Sequence, residues 1–484
     1  MGSIPSDVPC SHVLLFPFMS KGHTIPLLHL AQILLRRSIS VTVVTTAANR
    51  PFISESLNGT AASVVTLPFP AAAAAANIPS GVESTDKLPS MTMPLFYEFA
   101  TATSAMQPHF EQLLETLTPR VSFMVTDGFL WWTLHSAKKL GIPRYVYFGM
   151  SCYSVTLSIE AMRSGILGGP QPDHELVALT GFPWIRLCKE DFDFDMRNPD
   201  PNSPGFVFNM KTLSSTRDSY GMLVNSFYEL EPTFVDYVNA ESSPKSWCVG
   251  PFCLAEWKPK VYEGGVNVKP TWVTWLDEKL EEKGRVLYVA FGSQAEISRE
   301  QLQEIAMGLE ESKVSFLWVI RKDEWGLPDG FEERVKGRGM VIREWVDQRE
   351  ILMHESVEGF VSHCGWNSVL ESVCAGVPIV AWPMMAEQFL NARMVEEEVK
   401  VGLRVETCDG SVRGFVKRER LKKTVKEVME GEKGKKAREK VRELADMAHK
   451  AVEEGASSWS TLNLLLNETC ASHKKEIKVV ECND

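Results

Sequence analysis

The stretch HVLLFPFMSKGHTIPLLHLAQILLRRSISVTVVTT, residues 12–46, decides the fold. It opens with HVLLFPF (His12–Phe18), a short continuous apolar run that is typical of a buried parallel strand. TIPLLHLAQILLRR then has apolar residues at helical spacing, with Pro26 in its first turn and two arginines at its end. ISVTVVTT (Ile39–Thr46) is a β-branched strand. Strand, helix and strand in this order predict a βαβ unit and a parallel α/β sheet.

The same alternation continues along the chain in two series. The first includes the predicted strands VSFMVTD, RYVYFGM and YGMLVNSF, and the second runs through RVLYVAFGS, SFLWVIR, GMVIREW, VEGFVSHCG and PIVAWP. A stretch rich in Pro, Gly and Lys separates the two series. The pattern therefore predicts two doubly wound α/β domains, 1–253 and 272–455, joined by a linker at 254–271 and followed by a C-terminal segment, 456–484.

The composition narrows the class of protein. Hydrophobic residues make up 44% of the chain, with 24 Phe and 13 Trp, which is enough for two sizeable cores. A net charge of −11 argues against nucleic acid as a partner. Ten cysteines without a CxxC pair indicate reduced thiols and a cytoplasmic protein. The sequence predicts no signal peptide and no membrane span.

A histidine and a cysteine stand side by side in GFVSHCGWNSVLESVCAGVPIVAWP, residues 359–383. A structural zinc site needs four ligands, and Cys364 has no partner at a suitable spacing. A nucleophilic thiol needs an exposed cysteine of low pKa, and nothing in the sequence marks one. The position favours another role, because a strand ends near His363 and a helix begins within Gly365–Ser368. Unpaired N–H groups at a helix start bind anions, so we expect a diphosphate here and assign Cys364 to packing.

These residues belong to a longer span that resembles a known family. WVDQREILMHESVEGFVSHCGWNSVLESVCAGVPIVAWPMMAEQ, Trp345–Gln388, is similar without gaps to the signature box of plant UDP-sugar-dependent glycosyltransferases, family 1 of the GT-B fold. PFMSKGHTIP, TDGFLWW, VNSFYELEP and VLYVAFGSQ also resemble the family. The resemblance implies two Rossmann-like domains that face each other across a cleft, with the C-terminal segment crossing back to the N-terminal domain.

The resemblance also implies a role for each residue of a donor site. Trp345 would stack on uracil, and the backbone of Val346 would bind its edge. Gln348 and Glu371 would hold the ribose hydroxyls. The residues expected at the diphosphate are His363, Asn367, Ser368 and Ser293, and those expected at the sugar are Trp366, Glu387 and Gln388. A terminal Gln in this box is associated with glucose. The chain departs from the family at Gly149-Met150-Ser151, where many members place a Thr or Ser that touches the sugar.

His23 follows the first strand, where doubly wound folds place chemistry, and it matches the family's catalytic base. Asp127 matches the carboxylate that orients the imidazole and stabilises it once protonated. A phenol with a pKa near 10 needs such a base at neutral pH. The implied reaction is a single inverting displacement of UDP that needs no metal and no cofactor. Aromatic residues of the N-terminal segments are expected to line the acceptor site: Phe18, Phe96, Phe129, Trp131 and Trp184.

DFDFD, with Asp191, Asp193 and Asp195, contains the DxD pattern of metal-dependent glycosyltransferases. It lies far from the diphosphate box and lacks the expected flanking fold, so we interpret it as an acceptor-side loop and predict no metal site. No GxGxxG follows a strand, and no Walker motif occurs.

The predicted function is therefore transfer of glucose from UDP-glucose to a small phenolic acceptor, a flavonoid in the first instance, by a monomer. Two alternatives stay open. One is C-glycosylation of an aromatic carbon by the same dyad, and the other is a non-catalytic UDP-sugar-binding protein.

Overall fold

The computed structural model of the chain describes residues 12–70, 77–255, 269–320 and 326–481. The chain divides into two compact units. The first consists of residues 1–152, 199–256 and 451–484, and the second of residues 153–198 and 257–450. Most of the predicted linker, 256–268, lies outside the described residues.

The strands of the described residues alternate with helices along most of the chain. In chain order the strands are β1 (His12–Phe16), β2 (Ser40–Thr46), β3 (Ser63–Leu67), β4 (Phe123–Asp127), β5 (Arg144–Phe148), β6 (Val177–Ala178), β7 (Arg186–Leu187), β8 (Gly221–Val224), β9 (Ser246–Cys248), β10 (Val286–Ala290), β11 (Ser315–Val319), β12 (Gly339–Ile342), β13 (Val357–Ser362), β14 (Ile379–Ala381) and β15 (Gly402–Arg404).

The α-helices follow the same chain order. They are α1 (Lys21–Arg36), α2 (Arg50–Ser56), α3 (Met93–Ala102), α4 (Gln107–Thr116), α5 (Thr133–Leu140), α6 (Cys152–Arg163), α7 (Phe194–Arg197), α8 (Pro204–Arg217), α9 (Pro232–Glu241), α10 (Thr271–Glu281), α11 (Arg299–Ser312), α12 (Phe331–Val335), α13 (Gln348–Leu352), α14 (Trp366–Cys374), α15 (Gln388–Arg393), α16 (Arg418–Glu430), α17 (Glu432–Ala451) and α18 (Ser457–Glu481).

The first unit is built on a parallel sheet in the order β3-β2-β1-β4-β5-β8-β9. The predicted βαβ unit is confirmed, with β1 paired to β2 in register Val13 with Val41. Helix α1 begins at Lys21, earlier than predicted, because the extended Ser20 caps it and its carbonyl accepts from the N–H of Thr24 at 2.8 Å. Pro26 therefore lies inside the helix. The earlier start places His23 in the first turn.

The C-terminal helix α18 belongs to the core of the first unit. Leu462, Leu465 and Leu466 pack with the buried residues of β1, β2 and α1. The Tyr145 and Thr469 hydroxyls are 2.5 Å apart and also join α18 to β5. Burial of these leucines stabilises the helix on the sheet by roughly 2 kcal/mol for each side chain.

The second unit is built on a parallel sheet in the order β12-β11-β10-β13-β14-β15. This is the strand order of a dinucleotide-binding Rossmann domain, in which the connections reverse direction between the first and fourth strands. Here that reversal lies between β10 and β13. Ligands bind at such a reversal, outside the carboxyl ends of the strands.

Residues 153–198 pack with the second unit, whereas the predicted first domain ran without interruption to residue 253. A buried ion pair supports this packing, because Nε of Arg393 donates to Oδ1 of Asp191 at 2.9 Å and both side chains are buried. Arg413 also donates to Asp193, at 3.2 Å. Two aspartates of DFDFD are thus ion-paired to arginines of the second unit. No helix of the described residues is long and apolar enough to cross a membrane.

Candidate active site

The reversal point of the first sheet carries His23 and Asp127. His23 follows β1 and Asp127 ends β4, and these two strands are paired neighbours. The Nδ1 atom of His23 lies 2.6 Å from Oδ2 of Asp127. The carboxylate fixes the tautomer with the proton on Nδ1, so Nε2 is the nitrogen that would accept a proton. The structure thus brings the predicted dyad together in the geometry of a general base and its orienting carboxylate.

Asp127 is fully buried, and its second carboxylate oxygen is also hydrogen-bonded. The Phe129 N–H donates to its Oδ1 at 3.0 Å. Arg144 lies beneath it on β5, buried, and donates from Nε to the Thr126 hydroxyl at 2.7 Å and from Nη2 to the Asp127 carbonyl at 3.4 Å. Burial lowers the pKa of Arg144 to about 9 and the Asp127 charge opposes that shift, so the guanidinium stays charged at neutral pH. Asp127 therefore has a fixed position and a nearby positive charge.

Two of the predicted acceptor residues lie against the base, and a third packs on both of them. The His23 ring centroid lies 5.1 Å from that of Phe129 and 5.7 Å from that of Phe18. Phe96 packs edge-on against Phe129, with centroids 5.2 Å apart. The His23 side chain is 23% exposed between these rings. The imidazole is thus reachable and bordered by aromatic faces, an environment that suits a flat apolar acceptor.

A glycine permits this aromatic arrangement. A Cβ at Gly128 would stand 1.9 Å from the Phe148 ring, closer than real contacts allow. Phe148 in turn packs against Phe129, with centroids 6.1 Å apart. Any larger residue after Asp127 would therefore displace the rings that border the base.

The two tryptophans of the predicted acceptor site belong to different units, Trp131 to the first and Trp184 to the second. Trp131 is partly buried and packs on the core that contains Phe18 and Phe96. The Lys211 ammonium lies 4.6 Å from its ring centroid, and His135 packs at its edge. Trp184 is 62% exposed and belongs to the second unit, where it packs on Phe182. The place of both indoles in the acceptor site stays a prediction.

The predicted donor residues all follow the carboxyl ends of strands in the second sheet. Ser293 follows β10, Trp345, Val346 and Gln348 follow β12, Glu387 and Gln388 follow β14, and the other five follow β13: His363, Trp366, Asn367, Ser368 and Glu371. Parallel strands bring these ends to one edge, so the residues share the edge where Rossmann domains bind nucleotides.

A hydrogen-bonded cluster joins Gln348, Ser368 and Glu371. Nε2 of Gln348 donates to Oε2 of Glu371 at 2.7 Å and to the Ser368 hydroxyl at 2.9 Å. Burial raises the pKa of Glu371 to about 7, and the hydrogen bond from Gln348 opposes that shift. When it is ionised, this largely buried carboxylate accepts well from paired hydroxyls, which is the role predicted at the ribose.

His363 stands between two glycines at the reversal point of the second sheet. A Cβ at Gly292 would lie 2.7 Å from its Nε2, and one at Gly365 would lie 2.6 Å from the same atom. Ser293 follows Gly292, so its loop is adjacent to this imidazole. Helix α14 begins at Trp366 with no side-chain cap, and its first N–H groups, with the positive end of the helix dipole, are suited to an anion.

The remaining donor residues differ in exposure. The Trp345 indole is 48% exposed, as stacking on a base requires, and the Val346 side chain is buried. The Trp366 indole is only 1% exposed, so a contact with sugar at this position falls to its backbone. Oε1 of Gln388 accepts from the N–H groups of Met384 and Met385 at 3.0 Å each, so its amide is oriented by the loop in which Glu387 lies.

Cys364 is fully buried, and burial raises the pKa of its thiol to about 12. It is therefore a neutral packing group. Sequence reasoning did not single out Arg144, although an arginine at the start of the apolar strand RYVYF was an available signal.

Known proteins share this fold and these segments. The family model described as "UDP-glucoronosyl and UDP-glucosyl transferase" matches residues 267–450. UDP-glycosyltransferase 90A1 of Arabidopsis thaliana is 55% identical over 95% of this chain and 97% of its own length. UDP-glucose flavonoid 3-O-glucosyltransferase 7 of Fragaria ananassa is 34% identical over 94% of this chain and 96% of its own.

A solved structure agrees with these relatives. That of Phytolacca americana UGT2 complexed with UDP-2fluoro-glucose and pterostilbene superposes with a TM-score of 0.77 and 30% identity, over 95% of this chain and all of the other. The chain belongs to the plant family 1 of UDP-glycosyltransferases. It is thus an enzyme of the GT-B fold that transfers a glycosyl group to small acceptors. The non-catalytic alternative is set aside by this membership.

Proposed function

We propose that this enzyme transfers glucose from UDP-glucose to the hydroxyl of a small phenolic acceptor, with flavonoids as the first class to test. The observation that carries the proposal is the His23–Asp127 pair at 2.6 Å, bordered by Phe18 and Phe129, with Phe96 packed on both rings. The aromatic border suits a planar ring, and the base suits a hydroxyl whose pKa is near 10. The name of the Fragaria relative and the pterostilbene of the Phytolacca structure are consistent with that class.

The proposed reaction is one inverting displacement. The acceptor hydroxyl gives its proton to Nε2 of His23, and its oxygen forms a bond to the anomeric carbon. The bond from that carbon to the diphosphate oxygen breaks on the opposite face, and its electron pair leaves with UDP. Asp127 stabilises the imidazolium that results.

The second unit would bind the leaving group without a metal ion. Negative charge that develops on UDP would be stabilised by the first N–H groups of α14 and by His363 beside Gly292. Uracil would stack on the exposed Trp345, and the ribose would bind to Gln348 and Glu371. We infer that no metal and no cofactor is needed, because these groups supply the positive potential that a metal would otherwise supply.

Glucose is the proposed sugar because Gln388 is the last residue of the signature box, where a Gln is associated with glucose. Loop N–H groups orient its carbonyl oxygen, which leaves the amide N–H₂ to donate to sugar hydroxyls. The UDP-2fluoro-glucose of the Phytolacca structure is consistent with this donor.

Cellular context is proposed on the same footing. Seven cysteines of the described residues are free thiols, even though the sulfurs of Cys152 and Cys248 lie 3.8 Å apart. Free thiols suit a reducing compartment, so we propose that the enzyme acts in the cytoplasm. We also propose that it is a monomer. Size-exclusion chromatography with light scattering tests the oligomeric state.

The direct test is a panel of aglycones incubated with UDP-glucose and scored by mass spectrometry for one added hexose. Addition to phenols supports the proposal, and no product with any phenol contradicts it. Acid hydrolysis then separates the bond types, because an O-glucoside releases glucose whereas a C-glucoside retains it. UDP-xylose and UDP-glucuronic acid are tested beside UDP-glucose as alternative donors. A preference for either of them would contradict glucose as the assigned sugar.

A further inference from the structure

A left-handed residue lies between the strand and the helix that flank the predicted diphosphate site. Cys364 has a φ of 61°. This left-handed conformation is unfavourable for a residue that has a Cβ, whereas glycine adopts it freely. Such a conformation persists only where its surroundings hold it. The turn includes His363, so whatever holds Cys364 also sets the position of that imidazole.

Hydrogen bonds of its peptide groups and of its thiol hold Cys364 in place. Its N–H donates to the Ser362 hydroxyl at 3.1 Å, and its thiol donates to the Ser362 carbonyl at 3.6 Å. Its carbonyl accepts from Nδ2 of Asn391 at 2.9 Å. The contacts to Ser362 lie within the turn itself, whereas Asn391 is on α15, 27 residues further along the chain. The Asn391 amide is therefore the side-chain contact that reaches the Cys364 carbonyl from outside the turn, while the Trp382 N–H donates to the Ser362 carbonyl at 2.8 Å.

A second residue sets the direction of that amide. The Ser154 hydroxyl on α6 donates to Oδ1 of Asn391 at 2.7 Å, and both side chains are fully buried. With Oδ1 bound to a donor, Nδ2 must face the Cys364 carbonyl. A buried chain of hydrogen bonds thus runs from Ser154 through Asn391 to Cys364.

Helix α15, which carries Asn391, also has a residue with an assigned contact at each of its ends. Gln388 begins α15, and Arg393 ends it in the buried ion pair with Asp191. Asn391 lies between them. A displacement of α15 would therefore move the proposed sugar contact and release the Cys364 turn together.

We propose that Asn391 is a positioning residue for UDP binding, oriented by Ser154, that holds the left-handed Cys364 peptide and through it His363 and the first turn of α14. The inference deepens the proposed function, because it rests on the diphosphate site assigned there. Asn391 acts through the turn and does not touch the nucleotide.

The test measures UDP affinity by isothermal titration calorimetry on the full chain, with thermal unfolding of the ligand-free protein in parallel. Asn391→Ala removes the bond to the Cys364 carbonyl, and we expect UDP to bind about tenfold more weakly. Cys364→Gly in the same background relieves the left-handed strain and is expected to restore most of the affinity. Cys364→Ala is the matched control, because it also removes the thiol but keeps the Cβ, and it is expected to restore nothing.

Equal UDP affinity of wild type and Asn391→Ala would overturn the proposal. So would equal UDP affinity of the two double variants, in which Asn391→Ala is combined with Cys364→Gly or with Cys364→Ala. If Asn391→Ala does not fold, Ser154→Ala tests the same chain, with a smaller expected loss and the same rescue by glycine. Failure of wild type to bind UDP would count against the donor site itself. Wild type that binds UDP without transferring glucose would count against the proposed reaction and leave the role of Asn391 intact.

Discussion

The Nδ1 atom of His23 lies 2.6 Å from Oδ2 of Asp127, with the carboxylate fully buried and the imidazole partly exposed. The two residues are 104 positions apart in sequence and meet because β1 and β4 are neighbours in the sheet. The exposed partner can exchange a proton with a ligand, and the buried partner cannot. This asymmetry is what distinguishes a base and its orienting group from an ordinary surface ion pair.

Replacement of Asp127 by Asn should lower kcat while leaving the fold intact. The amide keeps the size of the carboxylate but removes the charge that stabilises the imidazolium. We expect kcat to fall by roughly a hundredfold to ten-thousandfold, with the UDP affinity unchanged. Steady-state kinetics and calorimetry on one preparation test this. A kcat within about threefold of wild type would mean that Asp127 does not assist the base.

Phe129 should contribute to acceptor binding without affecting the donor. Its ring lies against His23 at 5.1 Å, so Phe129→Leu removes aromatic surface beside the reacting hydroxyl. We expect the acceptor KM to rise about fivefold to tenfold, with the KM for UDP-glucose unchanged. Trp131→Leu is the comparison variant, because the Trp131 ring contacts His135 and Lys211, and we expect it to raise the acceptor KM less than Phe129→Leu does.

The stability of the free protein should depend on Glu371 above neutral pH. Burial raises the pKa of this carboxyl from 4.5 to about 7, with Gln348 opposing. For an acid whose folded-state pKa is raised, ionisation destabilises the fold fully above that pKa and not at all below the unfolded value. Glu371→Gln should therefore raise the Tm at about pH 8 and leave it unchanged near pH 4.5. Thermal unfolding across this range checks the sign.

UDP binding should show the opposite pH dependence at the same residue. The ionised Glu371 accepts hydrogen bonds from ribose hydroxyls more strongly than the neutral acid does, so affinity should rise from about pH 6 to about pH 8. Glu371→Gln should flatten this rise. 2′-Deoxy-UDP supplies a second control, because it lacks a ribose hydroxyl. A variant that keeps the full pH dependence would show that another group is responsible for it.

The DFDFD segment should affect stability and not metal dependence. Asp191 forms a buried ion pair with Arg393, and removal of one partner of such a pair costs about 3–5 kcal/mol. Asp191→Asn should therefore lower the Tm markedly. Activity of wild type should persist after dialysis against a chelator. Loss of activity that Mg²⁺ or Mn²⁺ restores would show that a metal takes part.

The regular part of the fold was predictable because its signals are local. Apolar runs such as that of β13 and the glycine after α14 set the limits of strands and helices from neighbouring residues alone. The weaker strands β3 and β15 carry no such signal, since they are short and partly exposed. The association of residues 153–198 with the second unit was not predictable, because it depends on the pairing of Asp191 with Arg393, about 200 positions away.

The same limit applies to the site. His23 and the helix start after His363 follow from strand–helix junctions, which a sequence displays directly. The restraint on Cys364 by Asn391 cannot be inferred from a sequence, because asparagine inside a helix gives no sign of its partner. The packing of Trp131 beside Lys211 and of Trp184 on Phe182 could not be predicted for the same reason, since aromatic composition does not indicate which way a side chain points.

The role of His23 as the base is tested most directly by comparing wild type with His23→Ala in glucose transfer to a phenol that wild type accepts, with UDP affinity measured on both proteins. We expect transfer to fall by roughly a hundredfold to ten-thousandfold while UDP binds with unchanged affinity, because His23 removes the proton and does not contribute to donor binding. Transfer at the wild-type rate by His23→Ala would contradict the assignment of the base.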